Sequence, residues 1–291
     1  MCDELTEKEA RDWMNRHPLD RRTFGAAGAA SALWAMLPGQ AQAAGALTAS
    51  RTINIPTPDG MADAFFVAPS TGKHPAVILW PDIAGLREAY EVMATRLAAS
   101  GYAVLAVNQY YRNAPAPILT SFAQWRTPEG SAKITPMREA ITPARTISDA
   151  GAFIDWLDQQ KEVDTTRKIG TSGYCMGGPF TIRTALARPE RVGAAASFHG
   201  SGMVNDTPDS PHAQFGKIKA ALLLAIAHND DERAPKDKDT LFETARNANL
   251  PVEMEVYPAM HGWCTLDSPV YDKEQAEKAW GRMLSTFAQY L

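Results

Sequence analysis

Cysteine is scarce in this 291-residue chain. It has three, at positions 2, 175 and 264, and they form neither a Cys-x-x-Cys pair nor a cluster with histidine. This pattern argues against a disulfide framework and against a structural zinc site. We therefore expect no metal to hold the fold together.

An excess of charge of one sign is also absent. Lysine and arginine number 29 and aspartate and glutamate 33, which gives a formal net charge of -4. A protein that binds nucleic acid normally carries a basic surface to neutralise phosphates. Nucleic acid is therefore not an expected partner.

The sequence has no apolar run long enough to remain as a membrane anchor. Charged residues are missing from Thr23 to Ser50, but the mildly apolar stretch is only Phe24–Leu37. Arg21-Arg22 precedes it and Ala41-Gln42-Ala43 follows, which is typical of a twin-arginine export signal. A loosely docked N-terminal extension would have the same composition. We predict that residues 1–43 are an export leader recognised by the twin-arginine machinery, so that the protein is periplasmic or secreted.

From residue 51 to the end, short apolar runs alternate with segments of helical periodicity. Runs such as Ala76–Trp80 and Ala221–Ala227 are continuously apolar, as expected for strands buried on both faces. Helical spacing lies between them, for example in Glu88–Ala99. The pattern predicts one α/β domain over residues 51–291, with a mainly parallel sheet and helices on both faces.

Residues 109–140 interrupt this alternation. They contain four prolines, at positions 115, 117, 128 and 136, and show little periodicity. Long irregular segments inside a compact domain are usually functional. We expect an insertion there, close to a site.

The most informative stretch is Gly173-Tyr174-Cys175-Met176-Gly177, between a predicted strand and a predicted helix. It has the form of a nucleophile elbow with cysteine in place of serine. The tight turn requires residues without bulk two positions before and after Cys175. The helix start favours a thiolate, and the Met176 amide would face a developing oxyanion. A buried structural cysteine and a phosphate-binding loop are the alternatives.

A base and an acid must follow the nucleophile in the order acid, then histidine. His261 lies just after the last predicted strand, where the base belongs. Asp230 and Asp231 both follow the strand Ala221–Ala227. Hydrolases of this type often carry proline four residues after the acid, so Pro235 favours Asp231. His199 also ends a strand and is a candidate for the pocket lining.

With these residues in order, the chain resembles the dienelactone hydrolase family from about Arg51 to Leu291. The resemblance implies an α/β-hydrolase fold with the Ile83 amide as the second oxyanion donor. It also places Asp82 where the family has a glutamate that pairs with the resting thiol and swings away. Arg112 corresponds to the arginine that holds a substrate carboxylate. Two aromatic residues, Tyr111 and Trp263, are further binding candidates.

The chain departs from the family pattern at Thr265, where a second substrate-binding arginine is expected.

The predicted function is hydrolysis of a lactone or related ester by Cys175, His261 and Asp231 through an acyl-enzyme, with no metal and no organic cofactor. A carboxylesterase of broader specificity and an inactive periplasmic binding protein are the alternatives. A redox pair of Cys175 with Cys264 is a third possibility.

Overall fold

The computed structural model describes residues 50–291 and, N-terminal to them, residues 8, 9 and 12. The predicted leader therefore lies outside the described residues except at those three positions, and it stays a prediction. In this described part, no helix has the length and apolar character needed to cross a membrane.

One eight-stranded sheet organises the chain, with the strand order β1-β2-β4-β3-β5-β6-β7-β8. The first two pairings are antiparallel and the other five are parallel. The predicted α/β fold with a mainly parallel sheet is confirmed. The strands are β1 (Arg51–Thr57), β2 (Gly60–Val67), β3 (Ala76–Trp80), β4 (Ala103–Val107), β5 (Ile169–Tyr174), β6 (Val192–Phe198), β7 (Ala221–Ala227) and β8 (Val252–Tyr257).

The helices cover the two faces of this sheet. They are α1 (Glu88–Ala99), α2 (Phe122–Trp125), α3 (Pro128–Glu139), α4 (Pro143–Leu157), α5 (Gly178–Ala187), α6 (His228–Arg233), α7 (Asp237–Asn247) and α8 (Lys273–Tyr290). Two short 3₁₀ helices, Cys175–Gly177 and His212–Lys217, complete the described elements.

Successive strand residues feed opposite core layers. In β3, Val77 and Leu79 pack in the layer that contains α1 and α8, whereas Ile78 and Trp80 pack in the layer that contains α4 and α5. Alternate side chains of a strand point to opposite faces, so a strand covered on both faces is apolar throughout. This explains the continuous apolar runs in the sequence.

The segment 109–140 is more regular than its proline content indicates, because it contains helices α2 and α3. Pro128 stands in the first turn of α3, where its missing N–H is harmless, and the Thr127 hydroxyl caps the helix by accepting from the Gly130 amide. Trp125 and Ile134 pack with Ile83 in a third apolar cluster. This packing lays α3 over the carboxyl end of β3, beside the candidate site.

Candidate active site

Cys175 lies on a strained turn between β5 and α5. Its φ is +53°, in the left-handed region that favours glycine. A Cβ on Gly173 would lie 2.1 Å from the Gly177 carbonyl oxygen, and one on Gly177 would lie 2.4 Å from the Trp80 carbonyl oxygen. The absence of side chains at both positions is therefore a steric requirement of the turn that presents the thiol.

His261 follows β8 and is held from two directions. Its backbone amide donates to Asn229 Oδ1 at 2.8 Å, and its Nδ1 lies 2.7 Å from Asp230 Oδ2. The imidazole also hydrogen-bonds Cys175. Burial lowers the pKa of His261, but the charge of Asp230 and the Cys175 sulfur outweigh it and raise that pKa to about 10. The ring is therefore an imidazolium at neutral pH, between a carboxylate and a sulfur.

The prediction that Asp231 is the partner of His261 is wrong, because Asp230 occupies that position. Both aspartates lie on the short helix α6, which begins directly after β7. Consecutive helical residues point about 100° apart, so they cannot face one group together. Asp231 points instead to α7, where both its oxygens lie 2.7 Å from Lys238 Nζ.

Asn229 was missed by the sequence reasoning. It is 3% exposed and fixes the His261 backbone, and its own Nδ2 donates to Glu9 Oε2 at 2.7 Å. A polar side chain buried beside a strand end normally has a hydrogen-bonding role. The sequence alone does not show that Asn229 is buried there, because it does not show that α6 starts at His228.

His199 lies beneath the Cys175–His261 pair rather than on an open wall. Its Nδ1 accepts a hydrogen bond from the Cys175 backbone amide at 3.1 Å, which makes it the tautomer with the proton on Nε2. The ring meets His261 edge to face at 4.9 Å between centroids. Burial, together with the charge of His261, keeps the pKa of His199 well below its ordinary value. The neutral imidazole of His199 therefore supports the turn that carries Cys175, beside the charged imidazole of His261.

A pocket of about 230 Å³ opens at Cys175, and both predicted oxyanion residues, Met176 and Ile83, line it. In the part of the chain that the structure describes, the Ile83 amide donates no hydrogen bond, while its carbonyl accepts from the Tyr110 hydroxyl at 2.8 Å. Two cations line the same pocket, Arg138 of α3 and Arg183 of α5.

Neither arginine was predicted, although the sequence carries a signal for one. Met176, Phe180 and Arg183 stand four and three residues apart, so they share a face of the predicted helix. A charged residue on that otherwise apolar face points to a function. Arg138 had no such signal, because its place depends on the packing of α3.

Arg112, predicted to bind substrate, is not brought to this pocket. Its guanidinium bonds both oxygens of Asp149 and also Asp59, each at 2.8 Å. The Tyr111 hydroxyl is likewise bound, to Asp149 at 2.8 Å and to Thr57 at 2.7 Å. These predictions of binding residues are wrong, since two aspartates recruit both side chains into an ion-paired cluster that ties β1–β2 to α4.

Asp82 is buried beside the pocket and is locked in place. Its two oxygens accept from Arg87 at 2.8 and 3.0 Å, and Arg87 also donates twice to Asp267. Burial raises the pKa of Asp82, and the Arg87 charge opposes that rise. Breaking such a buried pair typically costs about 3–5 kcal/mol. The swinging motion that the family resemblance implies for this carboxylate is therefore opposed here.

The remaining candidates, Trp263 and Cys264, belong to the core. Trp263 is fully buried, stacked on Tyr257 at 5.1 Å and set edge to face against His199. It is thus a support of the site rather than a substrate wall. Cys175 and Cys264 are both thiols and form no disulfide with each other. Cys264 lies instead in a small cavity with Tyr174 and Phe198, and burial holds its pKa well above the ordinary value.

No cluster of three or more histidine, cysteine, aspartate or glutamate side chains suited to a metal occurs among the described residues. The doubly covered sheet, the strained cysteine elbow after β5, and an acid and a histidine after β7 and β8 define an α/β-hydrolase.

The comparison with protein families agrees with this class and narrows it. The model of the Dienelactone hydrolase family matches residues 62–291, well over half of the chain. The chain belongs to that family, and it is a hydrolase.

Relatives and solved structures are consistent with this assignment. The chain is 28% identical to "Putative carboxymethylenebutenolidase" of Methylorubrum extorquens over 82% of this chain and 80% of that protein. It resembles the structure of dienelactone hydrolase from Anabaena variabilis with a TM-score of 0.61 and 17% identity, covering 83% of this chain and 98% of the other. A dienelactone hydrolase-like promiscuous phosphotriesterase from metagenomic libraries has a TM-score of 0.68 and 21% identity, covering 84% and 99%. These structures share the fold.

The raised pKa of His261 predicts how Cys175 responds to pH. The imidazolium persists below about pH 10, so it can hold a thiolate beside it through neutral pH. An ordinary thiol with a pKa of about 8.5 is only about 0.3% ionised at pH 6, and its alkylation rises about tenfold per pH unit. We expect iodoacetamide to label Cys175 at pH 6 at no less than about a third of its rate at pH 8.

The His261→Gln variant is the control, because it removes the imidazolium and should restore the steep rise with pH. Peptide mapping separates Cys175 from the other two cysteines. A tenfold rise per pH unit in the unaltered protein would contradict the thiolate–imidazolium pair.

Proposed function

We propose that the protein hydrolyses a carboxylic ester or lactone with Cys175 as nucleophile, His261 as acid and base, and Asp230 as the orienting carboxylate. The observation that carries the proposal is the contact of His261 with both Cys175 and Asp230, the latter at 2.7 Å. A nucleophile next to a base that a third group orients is the arrangement that covalent catalysis requires.

In the proposed reaction, the Cys175 thiolate uses a lone pair to form a bond to the carbonyl carbon, and the π pair of the C=O bond moves onto the carbonyl oxygen. The amides of Met176 and Ile83 donate to that oxyanion. When the tetrahedral intermediate collapses, the bond to the ester oxygen breaks and His261 Nε2 gives that oxygen its proton. A lactone opens at this step, and its alcohol end stays attached to the acyl group.

Neutral His261 then takes a proton from water, which attacks the thioester carbonyl. The second tetrahedral intermediate releases the carboxylic acid and returns the thiolate and the imidazolium. Asp230 keeps the imidazole in the tautomer with the proton on Nδ1. His199 holds the Cys175 amide, so that the sulfur keeps its direction through both steps.

The test is capture of the acyl-enzyme together with turnover of a panel of lactones and aryl esters. With 4-nitrophenyl acetate, we expect a burst of nitrophenolate close to one equivalent and one acetyl group on the Cys175 peptide by mass spectrometry. We expect several lactones of the panel to be opened as well.

The outcomes separate the alternatives. Turnover of aryl esters without lactones would favour the broader carboxylesterase. Absence of turnover together with absence of an acetylated Cys175 peptide would contradict the proposal and favour an inactive binding protein.

A further inference from the structure

Two arginines line the pocket at Cys175 without the carboxylate ion pair that most arginines of the described residues have. Arg183 stacks on Phe180, with its guanidinium carbon 5.4 Å from the ring centroid, and its Nε is buried without a hydrogen-bond partner. Within the described residues, neither Arg183 nor Arg138 has an ion pair within 4 Å. Asp209 is the charge that acts on Arg183, from the exposed loop after β6.

Arg87 and Arg112 differ from the two pocket arginines in their hydrogen-bond partners. Each of these two donates to two carboxylates of the protein. A partly buried guanidinium without such a partner forgoes charge-assisted hydrogen bonds, and burial lowers the pKa of Arg183 accordingly. An anion entering the pocket would supply the missing acceptor.

The position of the pocket indicates whether the anion lies on the acyl portion of the substrate or on its leaving group. Cys175 and both oxyanion residues line it, but His261 does not. His261 must protonate the departing oxygen, so the leaving group lies on the histidine side. The pocket therefore receives the portion that stays on sulfur. At about 230 Å³ it is smaller than most ligand sites, which occupy about 300–1,000 Å³, so that portion is short.

We infer, resting on the proposed function, that the acyl half of the substrate is short and ends in a carboxylate bound by Arg183 with Arg138. Arg183 is then a specificity-determining residue on the acyl side. Arg112 has no part in this recognition, because Asp59 and Asp149 occupy its guanidinium.

The test compares two aryl esters that differ only in charge: the mono-4-nitrophenyl ester of adipic acid and the same ester with its free carboxylate replaced by a primary amide. A charge-assisted bidentate contact favours the carboxylate by about 10- to 100-fold in kcat/KM. We expect this ratio of the two substrates to fall to within about threefold of unity in Arg183→Gln and to fall partly in Arg138→Gln. Arg183→Lys should restore part of the preference.

Arg188→Gln is the matched control, because Arg188 lies just after the same helix, is exposed and pairs with Asp155. It removes the same charge from the protein and should leave the substrate ratio unchanged. Equal losses on both esters in Arg183→Gln would mean a structural role and would overturn the inference. Equal turnover of the two esters by the unaltered enzyme, with Cys175→Ala inactive on both, would overturn the inference and leave the proposed function standing.

Discussion

Replacing Cys175 with alanine is expected to lower kcat/KM for any ester substrate by at least about 10⁴-fold. The reason is that no other group at the turn can form the covalent intermediate. The oxyanion amides and the pocket would remain, and such groups alone give an acceleration of about 10³- to 10⁴-fold over water, well short of that of a complete triad. The measurement is steady-state turnover of 4-nitrophenyl acetate by the purified variant, with circular dichroism to show that it is folded.

Cys264→Ala is the matched control for this change. It also removes a buried thiol, but one in a cavity with Tyr174 and Phe198, away from the pocket residues. We expect Cys264→Ala to keep activity within about threefold, since losing one sulfur from the core costs stability rather than chemistry. Activity above a few per cent in Cys175→Ala, or an equal loss in both variants, would rule out Cys175 as the nucleophile.

The sheet and the elbow could be predicted from sequence because their signals are local. A strand buried on both faces is apolar at every position, as in Ala76–Trp80, and the run itself shows where the strand lies. The elbow is equally local, because the clashes that exclude a Cβ at Gly173 and Gly177 arise within a few residues of Cys175 and at β3 beside it.

Side-chain partners over long sequence separations could not be predicted in this way. The family pattern suggested Arg112 as a substrate ligand, but whether an arginine is available depends on which carboxylates fold against it. Asp59 comes from the β1–β2 turn and Asp149 from α4, and the sequence around Arg112 does not indicate either contact. Arg138 shows the reverse case, because only the docking of α3 brings it to the pocket.

The choice between two adjacent aspartates is a question of helix phase. The sequence His228–Pro235 contains six charged or polar residues and no apolar periodicity, so it does not show that a helix starts directly at the strand end. Once α6 is in place, Asp230 faces His261 and Asp231 faces Lys238, about 100° around the axis. The spacing to Pro235 carried no information about this rotation.

Because Asp230 is the carboxylate in contact with His261, its replacement should impair the reaction strongly. Asp230→Asn should lower kcat by about 10²- to 10⁴-fold, because the amide can no longer stabilise the imidazolium or fix its tautomer. Since the charge of Asp230 helps to raise the pKa of His261, the variant should also lose the imidazolium at a lower pH than the unaltered enzyme. Cys175 alkylation should then rise with pH as it does for an ordinary thiol.

Asp231→Asn is a control that differs from the test by one position along the chain. It removes the same charge from the same helix, but what it breaks is a partly exposed ion pair with Lys238. Pairs of that kind contribute about 0–1 kcal/mol, so we expect turnover within about threefold and an unchanged pH profile of alkylation. Measuring kcat and the alkylation profile of both variants decides between the two carboxylates. A larger loss of kcat in Asp231→Asn than in Asp230→Asn would mean that Asp231 is the orienting carboxylate, as the spacing to Pro235 predicts.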